Sequence, residues 1–362
     1  MTMTIRQAAG SLLVVGFSGT ELTSLERAWL KLVRPAGIIL FRRNIVDSRQ
    51  TRSLFAESAA YCDTANHLRC VDIEGGAVDR LRDAVAPMPP AQAVAQTGKL
   101  ALMRKQGELI AREAAAFGFN CTLAPVLDLA LPISAGVMGT RAVAPNPVDV
   151  VTYGRAFLAG LVSHGVVGCG KHFPGLGGGN LDSHLVTPEI DRAWPQLWSE
   201  DIVPYQALAT SLPMIMINHA VYPATRSGLH SATVSAYWIG AILKKRIGYR
   251  GLIISDDMEM GGILKFMPIE EAAIGAIRAG IHLLEICKSP ELILGCYEAL
   301  IREGERSAAF GKTLLTRAGE ARRLRQSRFN RPLSRTLSTV QLASLRDQIV
   351  KFGALVARGK QA

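Results

Sequence analysis

The sequence has no apolar run approaching the roughly 20 residues that a membrane-spanning helix needs, and no Cys-x-x-Cys spacing. Its 6 cysteines, Cys62, Cys70, Cys121, Cys169, Cys287 and Cys296, are scattered. Four lie within or directly after apolar strand-like runs, so buried reduced thiols are a better account than a zinc or disulfide framework. The apolar segment 8–17 is preceded by no basic region beyond Arg6 and followed by no small-residue cleavage site, so it reads as a first strand and the expected compartment is the cytoplasm. No Gly-x-Gly-x-x-Gly turn follows that strand, which argues against a doubly wound dinucleotide-binding sheet. Acidic residues are also few, 30 Asp and Glu against 41 Lys and Arg, for a formal charge of +11. That surplus is local, because residues 301–362 hold 14 Lys and Arg against 4 Asp and Glu. Leu314, Leu315, Leu324, Leu342, Leu345, Ile349 and Val350 recur there at helical spacing, which predicts amphipathic helices with solvated basic faces and no nucleic-acid partner.

What the chain does have is apolar content, 49% of 362 residues, arranged in eight short runs at 11–15, 37–40, 69–73, 120–124, 166–170, 214–217, 252–255 and 282–286. Longer helix-compatible stretches lie between them at 22–33, 99–117, 147–163, 198–210, 236–247, 270–279 and 291–303. Asn146-Pro147 and Ser289-Pro290 each place a polar cap before a proline suited to a first helical turn. Near-continuous apolar strands alternating with helices predict a parallel sheet buried on both faces, and eight such units predict a single (β/α)8 barrel. The expected organisation is a barrel over 1–305 and a basic helical extension over 306–362.

Active sites of such barrels lie at the C-terminal ends of the strands, and polar residues gather there in this sequence. The third run leads into Asp72-Ile73-Glu74-Gly75-Gly76, and the fourth into Asp128 and, further on, Arg141. Lys171-His172 follow the fifth run, Asn218-His219 the sixth, and Asp256-Asp257 the seventh. Alternation along a strand predicts that Asp256 and Asp257 point to opposite sides. The stretch 171–184 is the most distinctive: a cationic pair, a glycine-rich loop, and Asp182 two residues before His184, close enough for the carboxylate to orient the ring.

The segment 171–184 resembles the Lys-His-Phe-Pro-Gly-His-Gly-Asp-Thr-x-x-Asp-Ser-His signature of bacterial β-N-acetylglucosaminidases of glycoside hydrolase family 3. Lys171, His172, Phe173, Pro174, Gly175, Gly177, Asp182, Ser183 and His184 are in register, whereas Leu176 replaces a histidine and Gly178-Gly179 replaces Asp-Thr. Gly251 to Gly261 is similar to the family's Gly-Val-Ile-Phe-Ser-Asp-Asp-Leu-x-Met, Asp72 to Gly76 to Val-Asp-Gln-Glu-Gly-Gly, 37–44 to Gly-x-Ile-Leu-Phe-x-Arg-Asn, and 139–142 to Gly-Asp-Arg-Ala. The resemblance extends over about 13–290. It implies a retaining enzyme with Asp256 as nucleophile and His184, polarised by Asp182, as acid/base. It also implies that Asp72, Arg141, Lys171 and His172 bind the sugar and that His219 lines the site, with Glu74 holding its loop and Asp257 in support. No cofactor or metal is implied. In single-domain cytosolic relatives the substrate is a muropeptide fragment, N-acetylglucosaminyl-1,6-anhydro-N-acetylmuramic acid with or without peptide. Losing the polar residues at 176, 178 and 179 predicts a loop that is more mobile and closes less often.

Two rival classes follow from the same residues. One is a catalytically inactive barrel that binds sugar, and the other a phosphate-handling barrel suggested by Gly177 to Gly179. That glycine run follows the fifth strand, not the seventh or eighth, where barrel phosphate sites usually lie. Within the family a β-glucosidase is the alternative, although such enzymes usually carry a further domain. The oligomeric state is not encoded in any recognisable pattern.

Overall fold

The computed structural model describes residues 3–63, 66–183, 186–330 and 337–359. Eight strands close a parallel barrel: β1 (Leu13–Val15), β2 (Gly37–Leu40), β3 (Leu68–Val71), β6 (Cys121–Thr122), β7 (Val167–Phe173), β8 (Met214–Ile217), β9 (Leu252–Asp257) and β10 (Leu283–Ile286). Leu13 pairs with Leu284 to complete the ring. The remaining strands, β4 (Ile73–Gly75) and β5 (Val78–Asp79), form an antiparallel hairpin directly after β3. All eight apolar runs therefore became barrel strands. Val14, Val15, Ile38, Ile39, Ile215, Ile253 and Ile254 are buried, as expected of strands with side chains on one face in the barrel interior and on the other under helices.

Several connecting helices start at side-chain caps. Asn146 accepts from Asp149 N ahead of helix Pro147–Val162, Ser289 accepts from Leu292 N ahead of helix Pro290–Arg306, and Thr23 and Glu26 form a reciprocal capping box at Ser24–Val33. Two stretches expected as plain α-helices differ. Leu197–Asp201 and Tyr237–Arg246 are wound as π-helix. In the first, Pro204 follows at the opening turn of Val203–Leu208, and its missing N–H interrupts the ordinary α ladder.

Strand β7 carries a register shift between Gly170 and Phe173 against β8, and β9 one between Ile254 and Asp257 against β10. A bulge bends its strand and re-aims the side chains around it. Both bulges fall on the residues that the sequence marks as functional.

Two further helices follow Pro290–Arg306. Ala308–Arg328 buries Phe310, Leu314, Ala318 and Ala321 against the body, and its Arg325 is fully buried, donating to the Ala36 carbonyl (2.9 Å) and pairing with Asp63 (2.5 Å). Thr339–Gly359 buries Leu345, Ile349, Phe352 and Val356, and Gln348 accepts from Arg112 of helix Leu100–Phe117 (2.6 Å). The six cysteines are buried, and none is in a disulfide. Among the described residues, no helix is long and apolar enough to cross a membrane.

Candidate active site

At the C-terminal end of the barrel lies a cavity of about 330 Å³. On one wall is a four-residue charge cluster built from three segments. The hairpin after β3 brings Glu74 inward, and its turn depends on Gly75 and Gly76, which have φ of 92° and 65°. A Cβ on Gly75 would lie 2.3 Å from the Pro89 carbonyl oxygen, so no other residue fits. Glu74 takes two hydrogen bonds from Arg141, Nε to Oε2 at 2.8 Å and Nη2 to Oε1 at 2.9 Å. Lys171 Nζ, at the β7 bulge, lies 2.7 Å from Glu74 Oε1 and 2.8 Å from Asp72 Oδ1. Burial pushes the Glu74 carboxyl up, but Arg141 and Lys171 outweigh it and hold the group below the usual range. Burial likewise opposes charge on Lys171 and Arg141, and the facing carboxylates raise both. Glu74, Lys171 and Arg141 thus hold one another in their charged forms, and Asp72 is the more exposed of the cluster's two carboxylates.

Asp128 organises the next wall. Its Oδ2 sits 2.6 Å from His172 Nδ1 and accepts from His172 N at 3.1 Å, while its Oδ1 accepts from Leu176 N at 2.7 Å. One buried carboxylate therefore fixes both the ring of His172 and the start of the glycine loop. At 176–179 the loop is closely packed. Leu176 is buried, a Cβ on Gly177 would lie 2.6 Å from the Leu129 carbonyl oxygen, and one on Gly178 would lie 2.5 Å from Arg192 Cδ. Arg192 is itself held by Glu200 and by Asp201 at 2.8 Å. The glycines are thus filled by neighbours, and their small size permits close packing. Beyond them, Asp182 and Ser183 line the cavity, and the Ser183 carbonyl accepts from Gly262 N (2.9 Å), tying this loop to the segment after β9. His184, the expected acid/base, lies outside the described residues.

Strand β9 delivers Asp256 and Asp257, and both line the cavity. The expectation that they point apart is corrected by the β9 bulge, which breaks strict alternation between Ile254 and Asp257. Their environments differ nonetheless. Burial pushes Asp256 up, but the charges of His172, His219 and Lys171 and a hydrogen bond from Asp257 N (2.9 Å) bring it below an ordinary aspartate. Asp257 is pushed up to about 7, first by burial and further by Glu259 and Asp256, despite accepting from Glu259 N (3.0 Å). Neighbouring carboxylates have thus been driven to opposite protonation preferences, the arrangement that separates chemical roles.

His219 does not reach the cavity wall. It is fully buried, with Nδ1 2.7 Å from Thr233 Oγ1 and Nε2 donating to the Asp257 carbonyl at 3.0 Å, so it holds the β9 end from behind. The structure brings Asp72, Arg141, Lys171, His172, Asp182 and Asp256 together around one cavity. It also adds residues that sequence reasoning missed. Glu285 and Cys287, at and after the end of β10, line the floor. Glu285 is buried, its Oε1 accepts from Cys287 Sγ at 3.5 Å, and burial with the nearby Asp72, Asp257 and Asp256 raises its carboxyl well above the usual range. The available signal was a lone acid inside the eighth apolar run, an unfavourable residue for core packing alone. Arg80 and Phe41 complete the rim, Arg80 stacking over the Phe41 ring at 5.3 Å and lying 3.7 Å from Asp72.

Residues 4–313 match the model of the glycosyl hydrolase family 3 N terminal domain. A β-hexosaminidase of Methylococcus capsulatus is 37% identical over 299 residues, covering 82% of this chain and 87% of its own. The structure of a family 3 β-N-acetylglucosaminidase from Paenibacillus sp. superposes with a TM-score of 0.86 at 28% identity, covering 97% of this chain and 69% of that one. NagZ from Neisseria gonorrhoeae, solved in complex with N-trifluoroacetyl-D-glucosamine, has a TM-score of 0.76 at 27% identity and covers 99% of this chain and 100% of its own.

Proposed function

The chain belongs to glycosyl hydrolase family 3, and from that premise we propose that it is a retaining β-N-acetylglucosaminidase with Asp256 as its nucleophile. The observation that carries the reading is the state of Asp256: a largely dehydrated carboxylate at a strand end, kept anionic by His172, His219 and Lys171. Among the described residues, only the Asp257 N–H donates to it, so its other oxygen is left to the cavity. A poorly hydrated anion held beneath a sugar is prepared to attack the anomeric carbon without first shedding water.

The other residues divide the work. Asp72 accepts from sugar hydroxyls, its charge balanced by Lys171 so that binding a neutral sugar leaves no unpaired anion. Arg141 and His172 border the ring, their geometry set by Glu74 and Asp128. A retaining mechanism also needs an acid/base about 5–5.5 Å from the nucleophile. Of the remaining carboxylates on the cavity, Glu74 is locked in ion pairs, Asp257 accepts from Glu259 N, and Glu285, buried in the floor, accepts from Cys287 Sγ. His184 takes this role, with Asp182 stabilising its protonated form: it protonates the leaving oxygen, then deprotonates the water that releases the sugar.

The hexosaminidase name of the Methylococcus protein and the glucosamine derivative bound to NagZ support an N-acetylglucosaminide as substrate. The natural substrate is a short muropeptide fragment, N-acetylglucosaminyl-1,6-anhydro-N-acetylmuramic acid with or without peptide, cleaved in the cytoplasm. The test is turnover of an aryl β-N-acetylglucosaminide against the matching aryl β-glucoside, with Asp256→Asn as control. Preference for the first and loss of turnover in the variant are expected. Preference for the glucoside, or an Asp256→Asn enzyme of near wild-type rate, would overturn the reading.

A further inference from the structure

A second cavity, about 340 Å³, opens at the opposite face of the barrel, where β9 and β10 begin. Its wall is assembled from three parts of the chain: Lys244 and Arg250 around the π-helical segment, His282 just before β10, and Arg317, Glu320 and Arg323 from helix Ala308–Arg328. Four cationic side chains thus face one carboxylate.

The hydrogen bonds leave donors unused. His282 Nδ1 accepts from Ile253 N at 3.1 Å, so Nε2 carries the ring proton and faces Glu320 Oε2 at 3.4 Å. Lys244 Nζ, 3.3 Å from that nitrogen, cannot donate to it, and its described acceptor is the Gly280 carbonyl at 2.7 Å. An ammonium has three N–H groups, so two remain. Arg317 spends Nη1 on Glu320 at 2.6 Å, whereas its buried Nε has no acceptor among the described residues. Arg250 and Arg323 stand exposed at the rim, where Arg250 reaches back to the Lys244 carbonyl at 2.8 Å. The positive surplus is felt inside the cluster. Burial, then Arg317, draws Lys244 down to about 8, and burial with Lys244 and Arg317 draws His282 down to about 4. An anion would satisfy the spare donors and offset the repulsion together.

We propose that this cavity, formed by Lys244, Arg250, Arg317 and Arg323 at the N-terminal face of the barrel, binds the phosphate group of a small phosphate monoester. A tetrahedral dianion offsets two of the three surplus positive charges and offers acceptors to the free N–H donors. The cavity falls within the size range of small-molecule sites and exceeds what a bare phosphate fills, which favours a phosphate carried on a sugar-sized body. The site is built partly from the extension, so its occupant ties that helix to β9 and β10.

Calorimetric titration of the full chain with inorganic phosphate and with glucose 6-phosphate, at fixed ionic strength, tests this. Saturable binding is expected for both, tighter for the sugar phosphate. In Arg250→Gln/Arg323→Gln, which alters only exposed side chains and should fold normally, affinity should fall at least tenfold while aryl glycoside hydrolysis stays unchanged. No saturable heat from either ligand, or undiminished binding in the double variant, would overturn the site. Equal affinity for the two ligands would overturn the monoester and assign free phosphate.

Discussion

Asp256 and Asp257 differ by one position and by opposite electrostatic environments, and both consequences can be measured. Asp257, held near 7, is protonated in the folded protein over a range where the unfolded chain has lost its proton. Below about pH 4 both states carry the proton, and from about 4 to 7 only the unfolded state ionises, so rising pH favours unfolding. Asp257→Asn keeps the acceptor for Glu259 N and removes the titration. Its stability advantage over the wild type should therefore grow from pH 4 to pH 7 and level off above, reaching about 2–4 kcal/mol at 1.36 kcal/mol per unit. Urea melts at pH 4, 5.5 and 8 check this, and a gap that does not change with pH would refute it. For catalysis, His184→Ala should slow glycosylation much more for poor leaving groups than for acidic phenols, while deglycosylation slows for both, because water has lost its base. Intact mass should then show sugar trapped on Asp256 with the good leaving group. Equal losses for both leaving groups, with no trapped adduct, would place the proton donor elsewhere. At this scale the sequence was legible wherever a polar residue ends an apolar run, as at Asp72, Lys171 and Asp256. His219 follows the same pattern yet lies behind the wall, because position after a strand does not determine which way a side chain turns.

The barrel strands were readable as elements because each is short, apolar and separated from the next by a helix-compatible stretch, but the two bulges were not. A bulge depends on register against a neighbouring strand, which a single run of residues does not contain. The close packing at 176–179 is hidden from the sequence for a related reason: glycine's local freedom says nothing of the tertiary neighbours that occupy the space a side chain would need. Restoring an aspartate at position 178 therefore should not activate the enzyme. Its Cβ would press on Arg192 Cδ at 2.5 Å, and Arg192 is anchored by Asp201. Gly178→Asp should cost about 1–3 kcal/mol, the usual range for overpacking, and should lower kcat/KM for an aryl β-N-acetylglucosaminide. Gly136→Ala, where a Cβ meets nothing within 4 Å, is the control. A Gly178→Asp enzyme with raised kcat/KM and unchanged Tm would show that the loop had room to rearrange.

Across the whole molecule, the basic surplus of residues 301–362 invited a reading as solvated helix faces, and Arg325 departs from it. Its guanidinium is fully buried, joining the extension to the barrel through the Ala36 carbonyl just before β2 and through Asp63 just before β3. Burial draws its affinity for the proton down, opposed by Asp63, and its Nε has no acceptor among the described residues. Such a pair should respond asymmetrically to truncation. Asp63 retains some exposure, so Arg325→Met leaves a carboxylate that water can reach and an Ala36 carbonyl that still accepts from Leu68 N, at a cost of about 1–3 kcal/mol. Asp63→Ala instead strands a guanidinium that water cannot reach, and removing one partner of a buried pair costs about 3–5 kcal/mol. Urea unfolding of the two variants should rank Asp63→Ala as the less stable, with kcat for an aryl glycoside unchanged in both, since neither residue approaches the cavity of Asp256. The reverse ranking would mean that the guanidinium finds solvent by a modest shift of helix Ala308–Arg328, and that the extension rests on the barrel through its apolar face alone.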